Sequence, residues 1–195
     1  MSATGWFGGA ASCLGCLHTA TRSTLGPPGT LDRSRTLGTR HLPCHIPAMP
    51  VEVIGIDHVY LTVRDLARSE AFYDRVMPVL GYRKSRSTIA GDPHVHFFNR
   101  RFGFSLRPAR DGTPDHDPYA PGLHHFCFRV NDERAVDRAA SELVAAGVDA
   151  TPARLYPEYA PDYYATFFAD PDGMRLEITN FRENRRQRMF DWEAF

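Results

Sequence analysis

The sequence predicts an α+β fold of two tandem βαβββ units, forming a curved mixed sheet with helices outside and a concave pocket inside. Three observations predict it. The order strand, helix, further strands occurs twice, over about 53–110 and about 122–181. Equivalent positions recur at a nearly constant offset: His58 to His125 and Asp65 to Asp132 are each 67 residues apart, and Gly81 to Gly147 are 66 apart. A fixed period of that kind marks a repeated supersecondary unit. In each copy the strands carry one apolar face that a helix can cover and one face left open.

The elements follow in order. In "IDHVYLTV" the residues Ile56, Val59, Leu61 and Val63 oppose His58, Tyr60 and Thr62, apart from an irregular first step. That alternation predicts a strand with one face on the core. "DLARSEAFYDRVMPVLGY" places Leu66, Ala67, Phe72, Tyr73, Val76 and Leu80 at near-helical spacing, with Asp65 as N-cap and Gly81 as stop. "HVHFFN" and "FGFSLRPA" read as strands. In the second unit "LHHFCFRV" is a strand and "NDERAVDRAASELVAAGV" a helix ending at Gly147. "YYATFFADPDGMRLEITNF" is two strands around a DPDG turn.

Outside these units the chain reads differently. Residues 1–50 are rich in Ser, Thr, Gly, Pro and Arg, with Asp32 as their only acid, and show no hydrophobic period. They read as a disordered extension; a transit peptide, or a start at Met49, would account for the composition. Residues 51–181 form the folded domain and 182–195 a tail. Cys13 and Cys16 make a lone C-x-x-C, and Cys44 and Cys127 complete no disulfide framework. Lys plus Arg and Asp plus Glu number 23 each. The whole chain therefore has no electrostatic bias toward nucleic acid, and Arg182, Arg185, Arg186 and Arg188 of the tail read as a solvated helix face. No apolar run reaches the roughly 20 residues that span a bilayer, so no membrane partner is expected. The expected location is cytoplasmic, or organellar if the extension is a transit peptide.

Strand parity decides which polar residues face the pocket, because neighbouring side chains point to opposite faces. Phe126, Phe128 and Val130 form the helix-packing set, so His125, Cys127 and Arg129 face the hollow. His58 does so in the first unit, at the position equivalent to His125. In "GMRLEITNF" the apolar Met174, Leu176 and Ile178 leave Arg175, Glu177 and Thr179 on the other face. A carboxylate in mid-strand needs a cation, a set of hydrogen bonds or access to water, since losing its hydration costs several kcal/mol. Two imidazoles and one carboxylate in one pocket make a facial triad for a divalent metal with open positions. The predicted ligands are His58, His125 and Glu177.

The stretches "DHVYLTVRDLARSEAFYDRVMPVLGY", "GLHHFCFRV" and "YYATFFADPDGMRLEI" resemble the vicinal oxygen chelate superfamily. That superfamily includes glyoxalase I, extradiol dioxygenases, methylmalonyl-CoA epimerase and fosfomycin-resistance enzymes. The resemblance spans about Val53 to Phe181 and implies that the same three residues bind one divalent ion: Fe, Mn, Ni, Co or Zn. It also implies homodimerisation, and leaves open whether each site lies within one chain or across two. Glyoxalase I has a fourth ligand, a glutamate on the last strand of the first unit. Matching Gly103 to Gly173 puts Arg107 opposite Glu177, with Ser105 as the other residue on that face; neither is a carboxylate. Strict glyoxalase I activity is therefore not expected, and Arg107 would pair with an anionic substrate group or with Glu177 itself.

The expected function is a metal-dependent, glyoxalase-like or dioxygenase-like enzyme acting on a small substrate that chelates through oxygen. The reaction would be that of a lyase, an isomerase or a ring-cleaving oxygenase. Tyr60, His96, Arg107 and Tyr164 are the candidates for catalytic roles, and His94, Tyr159 and Tyr163 are further His and Tyr residues near the site. The alternative is a metal-free binding protein of the bleomycin-resistance type, its groove lined by Phe97, Phe98, Tyr163 and Phe168.

Overall fold

The computed structural model describes residues 51–194; residues 1–50, and the predicted extension with them, lie outside the described part. The first module runs β1 (His58–Val63), α1 (Leu66–Val76), β2 (Arg83–Ile89), β3 (Asp92–Phe98) and β4 (Gly103–Pro108). The second repeats it with β5 (His125–Arg129), α2 (Glu133–Ala145), β6 (Arg154–Leu155), β7 (Tyr164–Ala169) and β8 (Arg175–Thr179). α3 (Glu183–Phe190) and a single 3₁₀ turn, Trp192–Ala194, follow. The architecture is two four-stranded mixed sheets, β1-β4-β3-β2 and β5-β8-β7-β6, in which β1 runs parallel to β4 and β5 parallel to β8. No helix among the described residues is long and apolar enough to cross a membrane.

Local chemistry accounts for the element ends. The carboxylates of Asp65 and Asp132 accept from the backbone N–H of Arg68 and Ala135, 3.0 and 2.8 Å away, so the two N-caps are themselves a repeat of the same device. α2 stops just before Gly147, as the sequence predicts. α1 does not reach Gly81: it ends at Val76, because Pro78 has no N–H with which to continue the ladder. β2 and β6, to which the sequence reading assigns no residues, are solvent-facing: "RKSRSTI" has almost no apolar partner to alternate with, and β6 is two exposed residues. β2 and β3 are joined by Ala90 and Gly91, both at positive φ, as a two-residue hairpin requires. Ile56 lies ahead of β1 and is exposed rather than in the core.

One core serves both modules. Leu61, Val63, Phe72, Tyr73, Phe104 and Leu106 pack in a single cluster with Phe128, Val136, Leu143, Leu176 and Ile178. Phe104 meets Phe126 edge-on, with centroids 5.6 Å apart, and lies 6.0 Å from Phe128. The modules are therefore joined through their helix-covered faces, while their open faces carry the exposed His58, Tyr60 and His125 beside the buried Ser105 and Glu177. A buried polar link crosses the same boundary. The Tyr73 hydroxyl, fully buried on α1, donates to Asp170 Oδ2 at 3.0 Å. Asp170 Oδ1 accepts from the N–H of Asp172 and of Met174, at 2.9 Å each, and so closes the DPDG turn. Burial pushes the Asp170 carboxyl above the usual range, and these hydrogen bonds pull the other way. Arg68 and the backbone N–H of Arg64 hold Asp172 of the same turn.

Asp170→Ala would strand the Tyr73 hydroxyl and two turn amides. We expect it to lower the free energy of unfolding by about 2–4 kcal/mol with an unchanged denaturant slope in urea titrations. A loss below about 0.5 kcal/mol would mean that this link does not join the modules.

Candidate metal centre

On the first module's open face, β1 presents His58, Tyr60 and Thr62, β4 presents Ser105 and Arg107, and β3 presents His94 and His96. His58 is exposed, and its Nδ1 sits 2.7 Å from Asp57 Oδ2. That contact fixes the ring and leaves Nε2 as the atom able to bind a metal. The Tyr60 ring lies edge-on to His58 at 5.4 Å, to His94 at 5.7 Å and to His96 at 6.2 Å. His94 and His96 stack 6.0 Å apart at 7°. His96 is held between two hydroxyls, with Nδ1 2.8 Å from Ser105 Oγ and Nε2 2.7 Å from Ser87 Oγ. Burial, and then the neighbouring His94, push its pKa down, so the ring is neutral at neutral pH.

The second module's open face gathers His125, Cys127 and Glu177. Register puts Cys127 directly opposite Glu177, and the glutamate is only 3% exposed. The Tyr163 hydroxyl donates to Glu177 Oε1. Glu177 Oε2 lies 3.7 Å from His125 Nε2, while His125 Nδ1 is 2.8 Å from Nδ1 of His124. As with His58, the Nδ1 side is engaged and Nε2 is turned to the site. Burial first, and the Glu177 carboxylate second, push the Tyr163 phenol far up, so it stays a donor. The same two causes raise the Cys127 thiol, burial again the larger.

The two faces correspond residue by residue. His58 pairs with Gly103 and Tyr60 with Ser105, as His125 pairs with Arg175 and Cys127 with Glu177. The counterpart of Glu177 in the first module is therefore Ser105, and Arg107 corresponds to Thr179. This corrects the match of Gly103 to Gly173: the DPDG turn ends two residues before β8 begins, so Gly103 belongs with Arg175. Arg107 pairs with Asp92 at 2.9 Å, shared with Arg110 at 2.8 Å, rather than with Glu177.

The structure brings His125 and Glu177 together within one chain, and Tyr60 together with His96. His58 does not join the pair: among the described residues no three His, Cys, Asp or Glu side chains are placed to hold one ion. Tyr164 lies on the helix side of β7, its hydroxyl donating to Asp137 of α2 at 2.8 Å. Phe97 and Phe168 are core residues, so neither lines an open groove, whereas Phe98 is half-exposed. The sequence reading misses the partners that aim the two imidazoles, Asp57 and His124. The only available signal is their adjacency to the predicted ligands.

Comparison with known proteins agrees with this fold. The model of the glyoxalase/bleomycin resistance protein/dioxygenase superfamily matches residues 55–178, and the chain belongs to that superfamily. It is 32% identical to Escherichia coli YaeR, an uncharacterized protein, over 132 residues, covering 63% of this chain and 93% of YaeR. The solved glyoxylase/bleomycin resistance protein/dioxygenase domain from Frankia sp. is 27% identical, with a TM-score of 0.56 over 67% of this chain and 100% of that one. FosX, a fosfomycin resistance protein from Listeria monocytogenes, shares the fold at 19% identity, with a TM-score of 0.50 over 69% of this chain and 99% of its own.

The state of Cys127 is directly checkable. Its thiol should alkylate with iodoacetamide at pH 8 at least ~10-fold more slowly in the native protein than in urea, read by mass spectrometry of its peptide. Equal rates would contradict its placement against Glu177.

Proposed function

We propose that this protein is a divalent-metal-dependent enzyme, glyoxalase-like or dioxygenase-like, acting on a small substrate that chelates through neighbouring oxygens. Its metal centre is shared in a homodimer: His58 comes from one protomer, and His125 and Glu177 come from the other. The observation that carries this reading is Glu177. A carboxylate buried in mid-strand has one oxygen satisfied by Tyr163, and the other faces an imidazole nitrogen at 3.7 Å, with no Lys or Arg among the described residues paired to it. The chemistry of the donor set fits a metal: two imidazoles with Nδ1 already occupied, and a carboxylate oriented by a phenol, as outer partners commonly orient metal ligands. His58 is exposed on the other open face, where a second copy can reach it.

A bound ion would supply Lewis acidity, stabilising negative charge that develops on the substrate's oxygens. Two imidazoles and one carboxylate suit Fe, Mn, Ni, Co or Zn. Tyr163 holds Glu177 in place, and Asp57 and His124 hold the imidazoles. Across the hollow, the position equivalent to Glu177 is Ser105, which makes a three-ligand centre. His96, neutral and bridged between Ser87 and Ser105, is the group placed to take up or hand on a proton, with Tyr60 packed against it. A metal-free binding role loses two of its four predicted groove residues, since Phe97 and Phe168 are in the core.

Metal analysis of the purified protein should find about one ion per chain. His58→Ala, His125→Ala and Glu177→Ala should each reduce that content at least ~10-fold, and Tyr163→Phe should weaken the affinity by roughly 10–100-fold. A parent protein without stoichiometric metal, binding small aromatic ligands equally well in His58→Ala and Glu177→Ala, would favour the binding-protein reading instead.

A further inference from the structure

We propose that Arg175 recognises a negatively charged group of the ligand, a carboxylate or a phosphate-type oxyanion, at the mouth of the second module's open face. The further step, that this anion belongs to the substrate whose oxygens chelate the metal, rests on the function proposed above. Arg175 opens β8 and lies directly opposite His125 in the register. It is exposed and shares its strand face with Glu177, one pleat repeat or about 7 Å further along. Arg175 therefore stands at the entrance to the pair formed by His125 and Glu177.

Its guanidinium is held in place without being saturated. One Nη donates to Nε2 of His124 at 3.4 Å, and the other donates to the Tyr119 hydroxyl at 3.3 Å. Its Cζ lies 5.1 Å from the centroid of the Tyr119 ring, which meets His124 edge-on at 5.6 Å. The segment connecting the modules thus pins the guanidinium where the face opens. A guanidinium can only donate, so the two groups it touches meet it with lone pairs and carry no negative charge. Both contacts are also longer than ordinary hydrogen bonds. Bonds from arginine to an oxyanion are shorter and roughly twice as strong as neutral ones, so an arriving anion outcompetes these contacts. The planar fork can then grip two oxygens at once. The acids nearby have other donors. Asp172, in the turn before β8, is paired with Arg68, and Asp170 accepts from Tyr73. Asp117 turns its carboxylate to the N–H of Tyr119 at 2.8 Å and is exposed, where salt screens it. The anion-binding role expected of Arg107 falls to Arg175 for the same reason. Arg107 is locked with Arg110 on Asp92, whereas Arg175 rests on groups that an anion can displace.

The probe is inorganic phosphate, titrated at constant ionic strength into the ¹⁵N-labelled full chain and followed by amide shifts. Saturable shifts are expected at residues 119–125 and 174–176. Arg175→Gln should weaken the affinity at least ~10-fold, and Arg175→Lys, which keeps the charge without the fork, should fall between that variant and the parent. Arg83→Gln, at an exposed arginine of β2, should stay within about twofold of the parent. Near-UV circular dichroism checks that each variant is folded, and Arg175→Met replaces Arg175→Gln if the latter is not. Shifts that grow linearly without saturating, or an affinity unchanged by losing the guanidinium, would overturn the site. The two readings fail separately. His58→Ala should lose the metal and keep phosphate binding; losing both, beside a parent that binds both, would put the phosphate on the metal and overturn the role of Arg175. Phosphate binding that depends on Arg175 in a parent without metal would retain the anion site and remove the metal centre.

Discussion

Glu177 is the constraint around which the open faces are organised. Folding takes its carboxylate out of water on a strand whose neighbours, Leu176 and Ile178, are core residues. Leaving such a group unanswered costs several kcal/mol. The fold answers half of it, with the Tyr163 hydroxyl on one oxygen. The other oxygen is directed at His125, and burial and the carboxylate keep the nearby thiol of Cys127 from ionising to a second anion. A buried acid completed on one side only, beside an imidazole already fixed through its far nitrogen, is the feature on which the proposed metal centre rests.

The third proposed ligand, His58, lies on a different sheet for a reason of packing. The two βαβββ modules share one core through their helix-covered faces, with Phe104 against Phe126 and Phe128 at the seam. Tyr73 and Asp170 reinforce that seam with a polar link. Joining the modules in this way satisfies the apolar surface of both, and among the described residues it brings no three His, Cys, Asp or Glu side chains together. In the proposed centre, His58, aimed by Asp57, and His125, aimed by His124, are matched half-sites. In the proposed dimer a second copy of the chain would supply the facing surface with the same residues, and symmetry would give two complete centres.

Much of this was legible in the sequence, and the reasons differ by residue. The 67-residue offset between His58 and His125 and the period-two alternation of β1, β5 and β8 carried the duplicated fold and the choice of face, because side-chain direction in a strand is fixed by parity alone. The N-caps Asp65 and Asp132 were legible from local chemistry. The polar strand β2 was not, because it borders solvent and has no apolar alternation to betray it. The equivalence of Ser105, rather than Arg107, with Glu177 depended on where a turn ends, which two glycines cannot settle by themselves. Nor could the sequence show that one core would hold both modules. That is a property of Phe102, Phe104, Phe126 and Phe128 meeting in space, over separations that carry no periodic signal.

The most direct test of the shared centre is complementation between two defective chains. His58→Ala and Glu177→Ala chains, given different tags and co-expressed, yield a mixed dimer that two-step affinity purification isolates. In a centre shared across chains, one site of that dimer collects both defects and the other collects neither. The account predicts one metal ion per mixed dimer and none in either variant alone. A mixed dimer that holds no metal, beside a parent that does, would contradict it.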